Sequence, residues 1–454
     1  MLKNHSAINR IGYLLLITIL SVALASTFAV SYGAEEAAWS KRAGGIYFDK
    51  AYSTVQSSDG GFVVAGFIST RADDSNLPGT HQSEYDRLHV AKIDADGNLL
   101  WNKNYTADND NRAYSIIQTK DGGYAIAGER RVPILYKYGP GGDYDFWLIK
   151  TDSFGNLQWN KTYGERELNE GARSVIQTSD GGYVLAGPAS TYVFSSGSSI
   201  MKVDANGNLE WSKRFPDEGL DIYSIVQTDD NGYAISGELT RTSPTSYYQG
   251  YLARTDALGN KLWHKTYTGT WVYSMTKTSD QGFALAGKQG VYMMLLKVDS
   301  SGNIQWTRDR EFGYSVARSV VLTDDGGYAV AGETSVLGSG DFYLAKTDAS
   351  GNLQWNRTYG EGSGNTEIAY SVVQTSDGGY FLAGATDSPI ESYESHFEDW
   401  LLIKTDSSGV APEISETLQI PEFPSMLIPI SAIATTLISV IAYRKRLQNM
   451  RSKA

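Results

Sequence analysis

The sequence predicts an all-β fold, a seven-bladed β-propeller of four-stranded blades, and three recurring marks carry this prediction. An Asp-x-Gly triplet occurs seven times, at intervals of 45 to 62 residues. An Asp in a Lys/Arg-x-Asp segment also occurs seven times, and a tryptophan just beyond Gly-Asn occurs six times. Repeats of this length with four β-forming stretches have the size of propeller blades.

The positions of the three marks are as follows. The triplet begins at Asp59, Asp121, Asp180, Asp230, Asp280, Asp325 and Asp377. The second aspartate is Asp94, Asp152, Asp204, Asp256, Asp299, Asp348 and Asp406. The tryptophan is Trp101, Trp159, Trp211, Trp263, Trp306 and Trp355.

The third unit shows how each element is predicted. "ARSVIQTS" and "YVLAGPAS" flank Asp-Gly-Gly, a hairpin turn signal because glycine accepts positive φ. "SIMKVD" and "LEWSKRF" flank Ala-Asn-Gly-Asn, a second tight turn in which Asp204 can bond the turn backbone. Each unit is therefore two hairpins, with strands a to d counted from the propeller axis outward.

The seventh tryptophan is missing from the last unit, which reads "KTDSSGVAPE" at 404–413. The segment "WSKR" at 39–42 matches "WSKR" at 211–214, where an outer strand is predicted. We expect the N-terminal segment to complete the last blade, because an open ring would leave two unpaired sheet edges. The alternative is an open solenoid, which would need capping units at both ends.

The predicted propeller comprises residues 35–409, and an apolar segment lies on each side of it. Residues 1–34 have the layout of a signal peptide, with Lys3 and Arg10 before an uncharged run. The alternative for this segment is an uncleaved membrane anchor.

Beyond the propeller we expect a stalk at 410–425, a transmembrane helix at 426–443 and a basic cytoplasmic tail at 444–454. This arrangement places the propeller at the cell surface, with the membrane as a partner through the C-terminal helix. The oligomeric state is left open.

The composition excludes some classes of partner. The formal net charge is −12, and removing the basic leader and tail residues leaves a body of about −19. Such a surface repels nucleic acid, so no nucleic-acid partner is expected. An acidic surface of this kind can attract cations, and its alternative role is to keep an exposed domain soluble. The chain has no cysteine, so disulfides contribute nothing.

The strand order predicts two unlike faces of the ring. The short-turn face carries the a–b and c–d turns, and the long-loop face carries the b–c and d–a loops. Variable loops on a rigid scaffold are the usual place for binding, so the long-loop face is the candidate ligand face. Because the chain leaves the ring after strand c of the last blade, we expect the short-turn face to look toward the membrane.

Tyrosines of the b–c loops are the candidate ligand contacts, since their rings suit both sugars and protein partners. The alternative is that these rings pack the loops onto the blades. The candidates are Tyr85, Tyr136, Tyr138, Tyr144, Tyr192, Tyr247, Tyr248 and Tyr393.

Candidate metal chemistry is confined to one d–a loop. Asp108 and Asp110 alternate with asparagines there, and clustered carboxylate and amide oxygens suit Ca²⁺. An ordinary polar turn is the alternative. No other cofactor and no catalytic constellation is predicted: no two histidines share a metal-ligand spacing, and there is no G-x-S-x-G.

Several repeated residues are interpreted as scaffold because they recur once in every blade. The aspartates before Gly-Asn cap turns. The serine and glutamine of strand a, such as Ser53 and Gln56, line the axial channel, and Ala-Gly at the end of strand b marks close sheet packing. Glycosylation sequons begin at Asn104, Asn160 and Asn356, on the predicted rim of the ring.

The recurring Asp turn, Gly and outer-strand Trp, as in "KTDSFGNLQW" at 150–159, resemble the repeat of quinoprotein-type propellers. They also resemble propeller repeats of bacterial and archaeal surface proteins. A quinoprotein enzyme would imply a bound quinone and Ca²⁺. The adjacent cysteines of some of these enzymes are absent, and the family's cofactor residues have no counterpart that we can place.

"PEFPS" at 421–425, an apolar span and Arg-Lys-Arg resemble the PEF-type sorting tail of archaeal surface proteins. The resemblance implies an archaeal envelope and an archaeosortase that exchanges the span for a lipid.

Together these features predict a non-catalytic binding or adhesion module for envelope glycan or protein. The alternatives are a quinone-dependent or polysaccharide-acting enzyme, and an envelope assembly scaffold.

Overall fold

The described residues fold into seven sheets, each built on four antiparallel strand positions that run in order from the axis outward; the inner strand of blade 3 is split in two, and blade 7 has an additional fifth strand. The computed structural model describes residues 38–44, 48–71, 84–105, 110–136, 139–165, 168–191, 196–217, 219–241, 247–334, 340–360, 366–389, 396–414 and 416–418. The predicted seven-bladed propeller is confirmed.

Blades 1 to 3 occupy the first half of the ring. Blade 1 holds β2 (Asp49–Gln56), β3 (Phe62–Arg71), β4 (Glu84–Ile93) and β5 (Leu99–Asn104). Blade 2 holds β6 (Asn111–Gln118), β7 (Tyr124–Tyr136), β8 (Gly139–Thr151) and β9 (Leu157–Tyr163). In blade 3 the inner strand is split into β10 (Leu168–Glu170) and β11 (Ser174–Gln177), followed by β12 (Tyr183–Thr191), β13 (Ser196–Val203) and β14 (Leu209–Phe215).

Blades 4 to 6 repeat the same order. Blade 4 holds β15 (Leu220–Gln227), β16 (Tyr233–Arg241), β17 (Tyr247–Thr255) and β18 (Lys261–Thr268). Blade 5 holds β19 (Thr270–Lys277), β20 (Phe283–Gln289), β21 (Tyr292–Val298) and β22 (Ile304–Arg308), and a 3₁₀ turn (Arg310–Phe312) follows it. Blade 6 holds β23 (Ser315–Leu322), β24 (Tyr328–Thr334), β25 (Phe342–Thr347) and β26 (Leu353–Tyr359).

Blade 7 joins the two ends of the chain. It holds β27 (Glu367–Gln374), β28 (Tyr380–Pro389) and β29 (His396–Thr405), and β1 (Trp39–Ala43) is its outer strand. Strand β1 pairs antiparallel with β29, with Trp39 opposite Lys404 and Ala43 opposite Trp400. The splice predicted from the repeated "WSKR" is thus present, and the ring is closed.

A fifth strand lies outside β1 and changes where the chain leaves the ring. Strand β30 (Glu416–Leu418) pairs parallel with β1, so the chain turns back along the edge of blade 7. The Ser40 hydroxyl donates to the carbonyl of Pro412 at 2.8 Å within this segment. At Leu418 the chain is directed toward the long-loop face. The expected departure from the ring after strand c is therefore wrong, whereas the orientation of the short-turn face toward the membrane stays a prediction, now without this support.

The two tight turns of each blade form as predicted. In the c–d turns, the second aspartate of the repeat accepts from the Asn backbone: Asp152 Oδ1 binds Asn156 N–H at 2.8 Å, and Gly155 has a φ of 72°. In the a–b turns, Asp121 Oδ1 accepts from Gly123 N–H at 3.1 Å. The interpretation of the c–d aspartates as turn caps is confirmed, and the a–b aspartates, for which no such role was predicted, cap their turns as well.

Each repeated tryptophan joins its blade to the next one. The indole lies against the glycine of the following c–d turn, so a Cβ on Gly259 would approach Trp211 to 2.6 Å. The same contact joins Trp39 to Gly97, which connects blade 7 to blade 1. Glycine is required at this position for two reasons: the backbone has positive φ, and the tryptophan indole leaves no room for a Cβ.

Among the residues that the structure describes, no helix is long and apolar enough to cross a bilayer. The predicted signal peptide at 1–34 and the predicted transmembrane helix at 426–443 lie outside the described residues.

Candidate functional site

A pocket of about 380 Å³ lies on the propeller axis, where the inner strands of all seven blades meet. Each blade contributes two consecutive residues. The first set, here called the axial ring, is Tyr52, Tyr114, Arg173, Tyr223, Tyr273, Arg318 and Tyr370. The second set, the axial serines, is Ser53, Ser115, Ser174, Ser224, Ser274, Ser319 and Ser371.

A local irregularity of the inner strand aims each axial-ring residue inward. In six blades the a–b register shifts at this residue, as between Ala51 and Ser53 in blade 1. In blade 3 the inner strand breaks between β10 and β11, and Arg173 lies in the break. Bulges commonly re-aim a side chain in this way.

The glycine of the Ala-Gly repeat, which lies within strand b, makes this irregularity sterically possible. A Cβ on Gly332 would lie 1.8 Å from the carbonyl oxygen of Val316, and one on Gly66 would lie 1.8 Å from that of Lys50. The Ala-Gly repeat, interpreted from sequence as close packing, therefore accommodates the backbone beside each bulge.

The hydroxyls of the axial serines bond to neighbouring blades. The axial-ring side chains therefore offer the larger polar and aromatic groups to the pocket. Ser53 Oγ accepts from Ile116 N–H of blade 2 at 3.1 Å. Ser371 Oγ of blade 7 accepts from Thr54 N–H of blade 1 at 3.2 Å, which closes the circle. The serines act as scaffold, bonding to the backbone of the next blade.

Arg173 is one of two arginines in an otherwise tyrosine ring. Its guanidinium carbon lies 3.6 Å from the centroid of the Tyr114 ring, and Nη2 lies 3.9 Å from Glu129 Oε2. Glu129 also accepts from the Tyr114 hydroxyl at 2.7 Å. Burial alone would lower the pKa of Arg173, but Tyr114 and Glu129 raise it, so the group is charged.

Arg318 repeats this arrangement three blades further on. Its guanidinium carbon lies 4.8 Å from the Tyr273 centroid, and Nη2 donates to Glu333 Oε1 at 2.7 Å. Its Nε is buried and has no partner among the described residues. Burial would lower the pKa of Arg318, and Glu333 raises it above its usual range. Burial raises the pKa of Tyr273 to about 12, so its hydroxyl stays protonated.

A carboxylate pair flanks the pocket in blade 4. Asp221 and Glu238 are cross-strand partners, and such partners lie close together on one side of the sheet. Burial is the main cause that raises the pKa of each, and Asp221 raises the pKa of Glu238 further. Tyr223 of the axial ring bonds Glu238. The sequence analysis did not predict this pair.

An aromatic platform lies beside the pocket on the long-loop side. Trp271 stands two residues before Tyr273 in β19, and the Tyr248 ring lies 4.7 Å from the Trp271 ring between centroids. Lys288 Nζ lies 4.4 Å from the Trp271 centroid. Tyr248 is 39% exposed, so the platform faces solvent.

The predicted ligand-face tyrosines are only partly within the described structure. Tyr248 is in the aromatic platform, and Tyr144 is half-buried in β8. Three others have a described backbone in β4, β7 and β17, but their side chains lie outside the description: Tyr85, Tyr136 and Tyr247. Three lie outside the described residues altogether: Tyr138, Tyr192 and Tyr393.

The predicted calcium site is likewise only half described. Asp110 Oδ2 accepts from Arg131 Nη1 at 2.7 Å, so this carboxylate is held by a cation of its own blade. Asp108 lies outside the described residues. No group of three or more metal-ligating side chains occurs among residues with a described position.

The three sequon asparagines lie in outer strands, Asn104 at the end of β5 and the other two within β9 and β26, and they differ in exposure. Asn356 is exposed, whereas Asn160 and Asn104 are half-buried. Asn104 Oδ1 lies 2.6 Å from Nδ1 of the buried His89. Asn356 is therefore the most accessible of the three for a glycan.

The axial ring was missed from sequence, although a signal for it exists. The residue before each repeated serine is Tyr in five blades and Arg in two, as in "AYSTVQ" and "ARSVIQ". On an ordinary strand that residue would alternate with the serine across the sheet. Only the bulge brings both to the axis.

The fold and the pocket define a seven-bladed propeller with a polar, aromatic axial site. A family model described as "Outer membrane protein assembly factor BamB" matches residues 196–388, from β13 of blade 3 to β28 of blade 7. The match supports the resemblance to a propeller repeat family. No curated protein matches the chain.

Solved propeller structures are similar at low identity. Sqt1 from Chaetomium thermophilum is 10% identical, covering 81% of this chain and 97% of its own, with a TM-score of 0.44. The β-propeller domain of the Trilobed protease from Pyrococcus furiosus is 10% identical, covering 79% and 98%, with a TM-score of 0.45. Puromycin hydrolase is 14% identical, covering 79% and 52%, with a TM-score of 0.46.

Proposed function

We propose that this protein is a non-catalytic binding module at a cell surface, which binds envelope glycan or protein at its long-loop face. The observation that carries the proposal is the axial pocket together with the aromatic platform beside it. Concave sites lined by aromatic rings and a few placed polar groups are typical of ligand binding, and about 300–1,000 Å³ is their usual volume. The pocket of about 380 Å³ falls in this range.

The two faces of the ring differ in what they offer a partner. The described short-turn face consists of repeated tight turns whose polar groups bond within the turns. The long-loop face carries the platform of Tyr248 and Trp271. Aromatic anchors of this kind supply most of the energy in many interfaces.

The test is co-sedimentation of the full chain with envelope fragments, comparing Tyr248→Ala/Trp271→Ala with Phe154→Ala. Phe154 is 70% exposed in a c–d turn of the short-turn face, so it is a matched aromatic control. We expect the double variant to weaken sedimentation about tenfold or more, because hot-spot aromatics contribute about 2 kcal/mol or more. Equal weakening by Phe154→Ala, or none by the double variant, would place binding elsewhere.

A second candidate function is favoured by one observation, the pair of Asp221 and Glu238 in blade 4. Paired carboxylates are the usual acid–base machinery of glycoside hydrolysis, in which the general acid has a raised pKa, and burial raises the pKa of both members of this pair. The same incubation decides between the two functions. Release of reducing sugar that Glu238→Gln abolishes would establish an enzyme, whereas binding without release supports the binding module.

A further inference from the structure

We infer that the axial pocket binds one sugar residue of a neutral glycan, and that the aromatic platform stacks on the next residue. This inference rests on the proposed function and deepens it, because it names the ligand of the same site.

The site carries charges of both signs, without an excess of cations. Its cations are Arg112, Arg173, Lys288 and Arg318. The carboxylates around the axial ring are at least as many: Asp86, Glu129, Asp221, Glu238 and Glu333. A site for a free anion would carry an excess of cations, and the described residues of this one do not.

A polyhydroxyl ligand uses both signs at once. A hydroxyl both donates and accepts, so neighbouring sugar hydroxyls can accept from guanidinium and donate to carboxylate. Arg318 lines the pocket, and the ion pair to Glu333 holds its guanidinium in place as a donor. Hydrogen bonds to charged groups are the stronger kind, and buried ones discriminate against ligands that leave them unpaired.

The shape of the site favours a sugar over a protein segment. The inner strands of all seven blades line the pocket of about 380 Å³, so a ligand must enter it along the axis. A single pyranose residue is small enough to do so as a chain end or a branch. Its apolar face matches the platform, whose Tyr248 ring is 39% exposed and lies against the Trp271 ring.

The experiment is calorimetric titration of the full chain with neutral manno-, gluco- and galacto-oligosaccharides, and with oligogalacturonate as the acidic counterpart of the last. We expect at least one neutral oligosaccharide to bind, oligogalacturonate to bind about tenfold or more weakly, and the free monosaccharide of the bound series to compete. Equal or tighter binding of oligogalacturonate overturns the inference, and so does a failure of the monosaccharide to compete.

Variants locate the sugar. Arg318→Gln and Trp271→Ala should each weaken binding about tenfold or more, from the loss of a charged hydrogen bond or of a stacking ring. Arg357→Gln is the matched control, because Arg357 also lies over a tryptophan ring, 5.5 Å away, but on the outer strand of blade 6. If Arg318→Gln lowers the melting temperature, Arg318→Lys replaces it as the test, because lysine keeps the positive charge. This variant should still bind the sugar less tightly than wild type, since lysine lacks the planar guanidinium.

Failure of the inference and failure of the proposed function give different results. If no neutral oligosaccharide binds, but Trp271→Ala still abolishes sedimentation with envelope fragments stripped of glycan, the site binds protein. The sugar is then wrong and the binding function holds. If neither sugars nor fragments bind, the proposed function itself is wrong.

Discussion

At the scale of single residues, the most regular feature is a buried cation under each a–b turn. Lys297 has a side chain only 6% exposed and binds Asp280 at 2.9 Å. Equivalent pairs occur in all seven blades, with Arg254 in place of lysine in blade 4. Each ties strand c to the a–b turn, so the first and second aspartates of the repeat have different tasks.

This pairing predicts how stability depends on pH. Burial would raise the pKa of Asp280, but hydrogen bonds from Lys297, Thr278 and Gly282 hold it at about 2, below its ordinary 3.8. Because the folded-state pKa is the lower one, the stabilisation is full above about pH 4 and is lost as pH falls toward 2. Thermal unfolding at stepped pH should show this loss.

Asp280→Asn tests the assignment. We expect a lower melting temperature at neutral pH and a shallower decline in acid than in wild type. Asp96→Asn, at an exposed position of a c–d turn, is the control and should leave the acid profile unchanged. An unchanged profile in Asp280→Asn would show that this pair does not contribute to acid unfolding.

At the scale of elements, the a–b turn is built seven times and departs from its pattern twice. The middle residue of the Asp-x-Gly triplet has positive φ in every blade, and it is glycine in five of them. In the others it is Asn231, with φ 61°, and Gln281, with φ 65°. Asparagine tolerates this region better than glutamine does, so Gln281 is the less favourable of the two.

Gln281→Gly should therefore stabilise the protein by about 0.5–1 kcal/mol. A left-handed residue with a Cβ costs about 1–2 kcal/mol, and the greater freedom of glycine in the unfolded chain offsets about half of that. Gly326→Gln is the reverse substitution in another blade and serves as the control. A Cβ there meets no atom within 4 Å, so only the cost of positive φ is added, and the protein should be destabilised by a similar amount. Chemical denaturation measures both, and a destabilising Gln281→Gly would contradict the turn assignment.

At the scale of the whole molecule, stability depends on one five-residue strand that closes the ring. Trp39 in β1 is 7% exposed, and its indole N–H donates to the carbonyl of Ala95 in blade 1 at 2.8 Å. Loss of this strand would expose the edges of β29 and β30. The C-terminal strand β30 covers β1 from outside, so both ends of the described chain hold the same blade.

Trp39→Ala should destabilise the protein by about 3–5 kcal/mol, the usual cost of truncating a buried aromatic. It should also make the segment around residues 38–44 sensitive to limited proteolysis. Trp211→Ala, in the same "WSKR" context inside the ring, is the control. Trp211 is only half-buried, so we expect a smaller loss and no new cleavage site. Equal effects would mean that closure through β1 is not special.

The sequence alone determined the number of blades, the strands, both kinds of turn and the closing splice. These features follow from local chemistry repeated at a fixed interval: glycine where φ is positive, aspartate where a turn must be capped, tryptophan where blades meet. The repeat also showed that its aspartates are scaffold, because a residue present in every blade marks no single site.

The tertiary structure decided where the candidate site lies and how the chain leaves the ring. The axial ring comes from residues 45 to 62 positions apart, and a bulge in six inner strands and a strand break in blade 3 turn them to one axis. Alternation along a strand cannot show a bulge, so the pairing of Arg318 with Glu333 was hidden. The course of β30 was hidden too, because three residues without the repeat carry no local signal, and only the free edge of β1 gives them a partner.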